Sequence, residues 1–137
     1  MGKMQIINDA LLADLYKQAD GSERKRMNYD LRTSSADQSQ RMLNAMRVGT
    51  QVPIHLHEDT TETVICLEGR IEEILYEEIP GMENAAPEKR FKEIERVQLC
   101  PGEGTYGVQI PKGVWHTVEV LESSVIFEAK DGAFKPR

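Results

Sequence analysis

Short runs of alternating apolar and polar residues dominate the chain from about residue 41 onward. Such alternation places successive side chains on opposite faces of an extended strand, so these runs predict β-strands. Turn-forming segments such as Pro101-Gly102-Glu103-Gly104 separate them. Many short strands with almost no helix predict an all-β sandwich or barrel. The predicted strands are Met42–Val48, Val52–His57, Glu62–Leu67, Arg70–Glu78, Phe91–Leu99, Tyr106–Ile110, Val114–Leu121 and Ser124–Ala129.

One helix is predicted before the strands. Asn8 or Asp9 can cap its start, and Gly21 supplies its end. Its apolar residues recur at helical spacing, so they form one face that packs on the outside of the barrel or on a partner subunit. That face consists of Leu11, Leu12, Leu15, Tyr16 and Ala19.

The length of 137 residues predicts one structural domain. Within it, residues 1–40 form the helix and an extended segment that packs on the barrel, and residues 41–137 form the barrel itself. Residues 79–90 are rich in proline, glycine and charge, and we expect them to be a loop that joins strands near Tyr76 and Phe91.

Composition excludes several classes of partner. The chain is 39% hydrophobic and 29% charged, with a net charge of -6, and this acidic balance argues against nucleic acid. No segment is apolar enough to span a membrane, and the N-terminus lacks a secretory signal, so we expect a cytoplasmic protein. Cys66 and Cys100 stand alone in apolar runs, which favours buried thiols, and a disulfide between them stays open.

The three histidines indicate a metal site. His55 and His57 lie two residues apart, so on a strand both side chains point to the same face. Glu62 follows after a turn, and His116 lies far downstream. Imidazole and carboxylate ligands suit zinc, iron, manganese or nickel. Each histidine taken alone could be a hydrogen-bonded strand residue, but that alternative leaves the shared ligand-like spacing of all three unexplained.

The same residues resemble the two sequence motifs of the cupin superfamily. In the second motif, Thr105 stands where the family has glycine, and Val120 stands where asparagine is frequent; neither is a metal ligand. Further segments between about Arg24 and Pro136 resemble the WbuC family of cupin-fold metalloproteins. The first motif matches at Gly49, His55, His57, Glu62 and Gly69, and the second at Pro111, Gly113 and His116. The WbuC resemblance rests on Arg26-Met27-Asn28, Ser39-Gln40-Arg41-Met42-Leu43-Asn44, Ile110-Pro111-Lys112-Gly113-Val114-Trp115-His116-Thr117 and Phe127-Glu128-Ala129-Lys130-Asp131-Gly132.

This resemblance implies a jelly-roll barrel, the double-stranded β-helix of cupins, with one divalent metal ion. The ion's ligands would be His55, His57, Glu62 and His116. It also implies a link to bacterial surface-polysaccharide metabolism and a homodimer. Additional ligand-binding candidates near the resembling segments are Arg26, Asn28, Tyr29 and Arg41. For the two arginines the alternatives are a surface basic run around Arg26 and an ion pair between Arg41 and a nearby acid.

Two functional hypotheses follow. A divalent ion with one glutamate ligand leaves a net charge of about +1, which favours an anionic or enolate-like ligand. The family resemblance implies a small oxygen-rich metabolite such as a sugar or sugar nucleotide. The first hypothesis is a metal-dependent enzyme, such as an isomerase, lyase or dioxygenase. The second is a non-catalytic ligand-binding or sensor module. A metal-independent sugar epimerase is a weaker alternative, since it needs a free base. We expect Trp115 to pack on the face opposite His116, and an acid–base role for Glu128 or Lys130 is a minor alternative.

Overall fold

The computed structural model describes residues 2–133. Met1, the end of the predicted segment 41–137 and the end of the family resemblance at Pro136 lie outside these residues. Antiparallel strands make up most of the regular secondary structure of the described chain, with one helix at the start, as predicted. In chain order the elements are α1 (Asp9–Asp20), β1 (Arg26–Asp30), β2 (Ser39–Met46), β3 (Glu62–Glu78), α2 (Pro87–Arg90), β4 (Phe91–Leu99), β5 (Gly107–Ile110) and β6 (Trp115–Asp131).

The sheet is built around two long strands, β3 and β6, which pair along almost their whole length. The strand order is β1-β2-β6-β3-β4, and β5 pairs with the first part of β3. On the same side of β3, the second part pairs with β4 instead. The long strands therefore belong to two half-sheets, one containing β5 and the other containing β4.

The two half-sheets face each other because β3 and β6 bend where their register shifts, between Cys66 and Ile71. Bulges increase local twist and change which alternate residues face inward. Val64 and Cys66 face the interior before the bend, and Ile71 and Leu75 do so after it. Residues from both half-sheets form one buried core, consisting of Met46, Val64, Cys66, Ile71, Leu99, Ile110, Val120 and Ile126.

The helix packs on the outer face of the sheet. The Asn8 side chain accepts a hydrogen bond from the amide of Leu11, and Gly21 ends the helix. Leu12, Leu15 and Ala19 are buried along one face. Leu12 and Leu15 pack in a second cluster with Leu43, Ala45 and Val125 from the sheet. Full burial of such a side chain stabilises the fold by about 1.5–3 kcal/mol, so α1 is an integral part of the domain.

Five of the predicted strands differ from the structure, one by its absence and four by merging in pairs. The predicted strand Val52–His57 is absent apart from an isolated bridge between His55 and His116, and Pro53 explains this because proline cannot donate to a strand ladder. The predicted pair Glu62–Leu67 and Arg70–Glu78 is the single strand β3. The pair Val114–Leu121 and Ser124–Ala129 is likewise the single strand β6. In both cases pairing with the long neighbouring strand carries the chain through a local turn signal as a bulge.

Other boundaries agree more closely. Phe91–Leu99 is confirmed as β4, and residues 79–90 connect β3 to β4 with the short helix α2 at their end. The predicted strand Met42–Val48 is shifted, because β2 spans Ser39–Met46. The strand β1, which pairs with β2, lies in the segment that the sequence indicated only as extended.

Candidate metal centre

Backbone pairing brings the histidines together. The amide of His55 donates to the carbonyl of His116 at 3.0 Å, and the amide of His116 donates back to the carbonyl of His55 at 2.8 Å. The amide of Gly113 donates to the carbonyl of His57 at 2.8 Å. The loop containing the first two histidines is thus fixed to the beginning of β6, although it forms no strand of its own.

The imidazole rings converge on one point. Ring centroids are 4.3 Å apart for His55 and His116, 5.1 Å for His55 and His57, and 5.4 Å for His57 and His116. One ligand atom from each ring lies within 4.8 Å of the other two. His116 is buried, whereas the other two rings are half-buried. This arrangement can hold a metal ion and leave one side of it accessible.

Backbone carbonyls set the orientation of two rings. The Nδ1 atom of His55 lies 2.9 Å from the carbonyl oxygen of Pro53, and Nδ1 of His116 lies 3.0 Å from that of Val114. A carbonyl oxygen only accepts, so in each ring the proton resides on Nδ1 and the lone pair on Nε2. Histidine ligands of metals typically have this second contact, which fixes the tautomer and the ring direction.

The buried Nε2 atom of His57 indicates whether a metal ion suits this site. Its Nε2 atom is buried and makes no hydrogen bond to any residue of the described chain, although Glu62 Oε2 lies 3.3 Å away. Leaving a buried polar atom without a partner costs about 1–3 kcal/mol. A metal ion bound at Nε2 would remove that cost, so the residues present fit the ion.

Glu62 completes the predicted set of four. Its carboxylate is buried, with Oε1 3.9 Å from His116 Nε2 and Oε2 3.3 Å from the ammonium of Lys130. Burial opposes its ionisation, but His57, Lys130 and His116 outweigh burial and lower the pKa of Glu62 to about 2. The structure therefore places an ionised carboxylate beside the three imidazoles, while its role as a ligand stays a prediction.

A second polar layer lies deeper in the barrel. Lys130 donates to Glu62, and Glu128 lies near Glu73, an interior glutamate of β3 that is only 6% exposed. The sequence interpretation did not single out Glu73. Its inward position, between Ile71 and Leu75, follows from the register shift in β3, which the sequence pattern does not indicate.

The four additional ligand-binding candidates lie on β1 and β2. The Arg26 guanidinium donates to the carbonyl of Gln51 at 2.7 Å, and Asn28 is exposed opposite Asn44. Tyr29 packs in the cluster beneath the helix. Arg41 forms an ion pair with Asp37 at 3.0 Å, the alternative expected for it. A ligand-binding role for these four residues stays a prediction.

The remaining residues of interest are structural in their contacts. Trp115 packs with Phe91 at a ring distance of 5.0 Å and lies under the guanidinium of Arg90. Cys66 and Cys100 are both buried and free. Burial raises the pKa of the Cys66 thiol to about 11, and Cys100 contributes as a near neighbour, so the two cysteines lie close together without a disulfide.

Residues 7–86 match the family model described as a domain of unknown function, DUF6016. This match covers more than half of the chain. The chain belongs to the DUF6016 family. No curated protein matches this DUF6016 protein. Among residues 2–133, no helix has the length and apolar character needed to cross a membrane.

Solved structures show the fold of this DUF6016 protein. The cupin domain of Schizosaccharomyces pombe Cnp3 matches with a TM-score of 0.52 at 12% identity, covering 79% of this chain and 65% of that one. KdgF from Halomonas sp. matches with a TM-score of 0.56 at 15% identity, covering 78% and 80%. The capsular polysaccharide assembling protein CapF from Staphylococcus aureus matches with a TM-score of 0.61 at 19% identity, covering 84% of this chain but only 30% of CapF. The all-β barrel is a cupin fold.

Proposed function

We propose that this protein binds one divalent metal ion through His55, His57, Glu62 and His116, and uses it to hold a small anionic, oxygen-rich ligand. The observation that carries the proposal is the convergence of three imidazoles, two of them oriented by backbone carbonyls. Zinc, iron, manganese and nickel all suit three imidazoles and one carboxylate. When bound, such an ion supplies Lewis-acid polarisation of a ligand oxygen.

Charge argues for an anionic ligand. A divalent ion with the Glu62 carboxylate has a net charge of about +1, and Lys130 offsets Glu62 further at 3.3 Å. Lys130 also lines an open groove of about 260 Å³ together with polar residues of neighbouring strands. A sugar or sugar nucleotide of bacterial surface-polysaccharide metabolism is the ligand class that the WbuC resemblance favours. CapF, named for capsular polysaccharide assembly, adds support from one protein of the same fold.

A non-catalytic ligand-binding or sensor module is the second candidate. It requires only the metal ion and a bound ligand, so it rests on the same convergence of three imidazoles. The first candidate, an enzyme such as an isomerase, lyase or dioxygenase, requires turnover of a bound ligand. The resemblance further favours a cytoplasmic homodimer, and sedimentation equilibrium would measure the oligomeric state.

Cobalt(II) titration tests the proposal, because visible absorption reports the ion's coordination. We expect wild-type protein to saturate at one equivalent. His57→Ala should weaken cobalt binding by more than about 100-fold. Even the loss of a residue that only hydrogen-bonds to a metal ligand lowers metal affinity by about 10- to 100-fold. Trp115→Phe is the matched control, because Trp115 adjoins His116 in sequence but packs on Phe91. Equal cobalt affinity in wild type and His57→Ala would refute the proposed site.

The ligand class is tested with the cobalt-loaded protein. Addition of oxalate, a small chelating dianion, should change the cobalt spectrum at concentrations where neutral galactose does not. A spectrum that responds to galactose and not to oxalate would contradict the anionic ligand and favour a neutral sugar.

A further inference from the structure

Glu73 occupies the barrel interior beside the metal centre. It lies on β3 opposite Val118 of β6, and the next inward residue, Leu75, lies opposite His116. Residues diagonal to each other across an antiparallel pair are about 7–8 Å apart. That relation holds for Glu73 and His116, whose side chains face the same interior. Glu73 therefore lies diagonally across the strand pair from His116, one of the three clustered histidines.

The Glu73 side chain has no partner that balances a negative charge. Among residues 2–133 it makes no hydrogen bond and no ion pair, and the groups that act on it electrostatically are the acids Glu62 and Glu128. Lys130, the cation of this layer, donates to Glu62. Isolated buried charges are costly, and such groups become neutral instead. Burial, followed by the charges of Glu62 and Glu128, raises the pKa of Glu73 well above its ordinary value.

A cavity of about 70 Å³ opens beside this carboxyl group. Its other walls are mainly apolar, so Glu73 is the buried polar group directed into it. Leu75 lines the cavity and also lies opposite His116 on β6, so strand pairing connects this cavity wall to the histidine cluster. The lining residues besides Glu73 are Leu75, Glu95, Val97, Val108, Gln109 and Ile110.

A purely structural role does not account for this placement. A buried carboxyl without a hydrogen bond stabilises the fold less than an apolar residue of similar size. A carboxylic acid in a water-poor site is, however, a good proton donor to an anion, and carboxyls perturbed by burial and by neighbouring like charges are frequent at functional sites.

We propose that Glu73, as a carboxylic acid, donates a hydrogen bond and then its proton to a small oxyanion held at the metal centre. In the transfer, the O–H bond of Glu73 breaks as an O–H bond forms on the ligand, and the negative charge moves to Glu73. The carboxylate regains a proton from water entering the cavity. This inference rests on the proposed function and adds the group that donates a proton to the anionic ligand.

The test measures the dissociation constant of oxalate from the cobalt-loaded protein across a pH series. The charged and titratable groups around Glu73 are Glu62 and Cys66 on its own strand, Glu128 and His116 on β6, and Glu95 on β4, with Lys130 bonded to Glu62. In wild type, the affinity for oxalate should fall as Glu73 ionises. The total fall should be about tenfold for each unit by which bound oxalate raises the pKa of Glu73. Glu73→Gln keeps a donor but cannot ionise, so it should lack this fall. Glu77→Gln, an exposed change on the same strand, is the matched control.

The outcomes separate the two proposals. Cobalt-loaded Glu73→Gln with the wild-type pH profile would overturn the role of Glu73 and leave the metal centre intact. Wild type that binds no cobalt would overturn both. Infrared spectroscopy of wild type is a second measurement, independent of how the variant folds. Oxalate should shift the C=O band of a protonated carboxyl, and an unchanged band would overturn the assignment.

Discussion

Replacement of Gly69 by alanine should destabilise the fold strongly, because Gly69 lies at the bend of β3. Its φ of +96° is in the left-handed region that other residues rarely adopt. A Cβ atom there would lie 2.1 Å from Ser124 Oγ and 2.3 Å from the carbonyl oxygen of Ser123. Ser124 is fully buried, and its hydroxyl accepts a hydrogen bond from the Arg70 amide. Neither neighbour can move without disturbing the pairing of β3 with β6.

Two other glycines separate the contributions. Gly81 also has a positive φ, +80°, but no atom lies within 4 Å of the position that a Cβ would occupy, and Gly102 has neither constraint. Left-handed backbone costs an alanine about 1–2 kcal/mol, and overpacking costs a further 1–3 kcal/mol or so. Alanine also restricts the unfolded chain more than glycine does, which stabilises each variant by about 0.4–1 kcal/mol.

Gly69→Ala should therefore lose about 1–3 kcal/mol more stability than Gly81→Ala, and Gly102→Ala should be neutral or slightly stabilised. Urea denaturation followed by circular dichroism measures these differences, provided that the three variants share one m value. Equal free energies of unfolding for Gly69→Ala and Gly81→Ala would refute the close packing at the bend.

Buried groups give three further predictions. Leu15→Ala should reduce the free energy of unfolding by about 2–5 kcal/mol in the same urea assay, since Leu15 is fully buried between the helix and the sheet. A loss below about 1 kcal/mol would contradict packing of the helix on the sheet. In metal-free protein, stability should fall as pH rises from 4.5, the ordinary pKa of Glu73, towards its raised folded pKa, because only the unfolded state loses the proton. Glu73→Gln should remove that fall, and a pH dependence shared by both proteins would contradict it. At pH 8 a thiol whose pKa is about 11 is only ~0.1% thiolate, so Cys66 should react with a thiol reagent only after unfolding; rapid labelling of the native protein would contradict its burial.

Local signals explain what could be predicted from the sequence. The helix has its cap at Asn8, its apolar face and its end at Gly21 within one short continuous segment. The candidate metal ligands could be predicted equally well, because His55, His57 and His116 fall in spaced motifs that depend little on the exact strand boundaries. The convergence of the three rings agrees with that reading even though the predicted strand around His55 is absent.

Long-range pairing explains what the sequence did not reveal. Glu68-Gly69 is a turn signal, yet β3 continues through it because β6 remains hydrogen-bonded on both sides of the bulge. The same bulge changes the inward positions from even to odd residue numbers, so the interior position of Glu73 follows only once the register is known. Strand β1 pairs with β2, a contact that its own mixed polar and apolar residues do not indicate.

We expect the histidine cluster to bind a metal ion in the protein as it is made. Elemental analysis of protein purified without a histidine tag or chelator tests it most directly, with His55→Ala and Trp115→Phe purified in parallel. We predict near-stoichiometric zinc, iron, manganese or nickel in wild type and Trp115→Phe, and loss of that metal in His55→Ala. Absence of metal from wild type even after reconstitution, or equal metal in His55→Ala, would contradict this expectation.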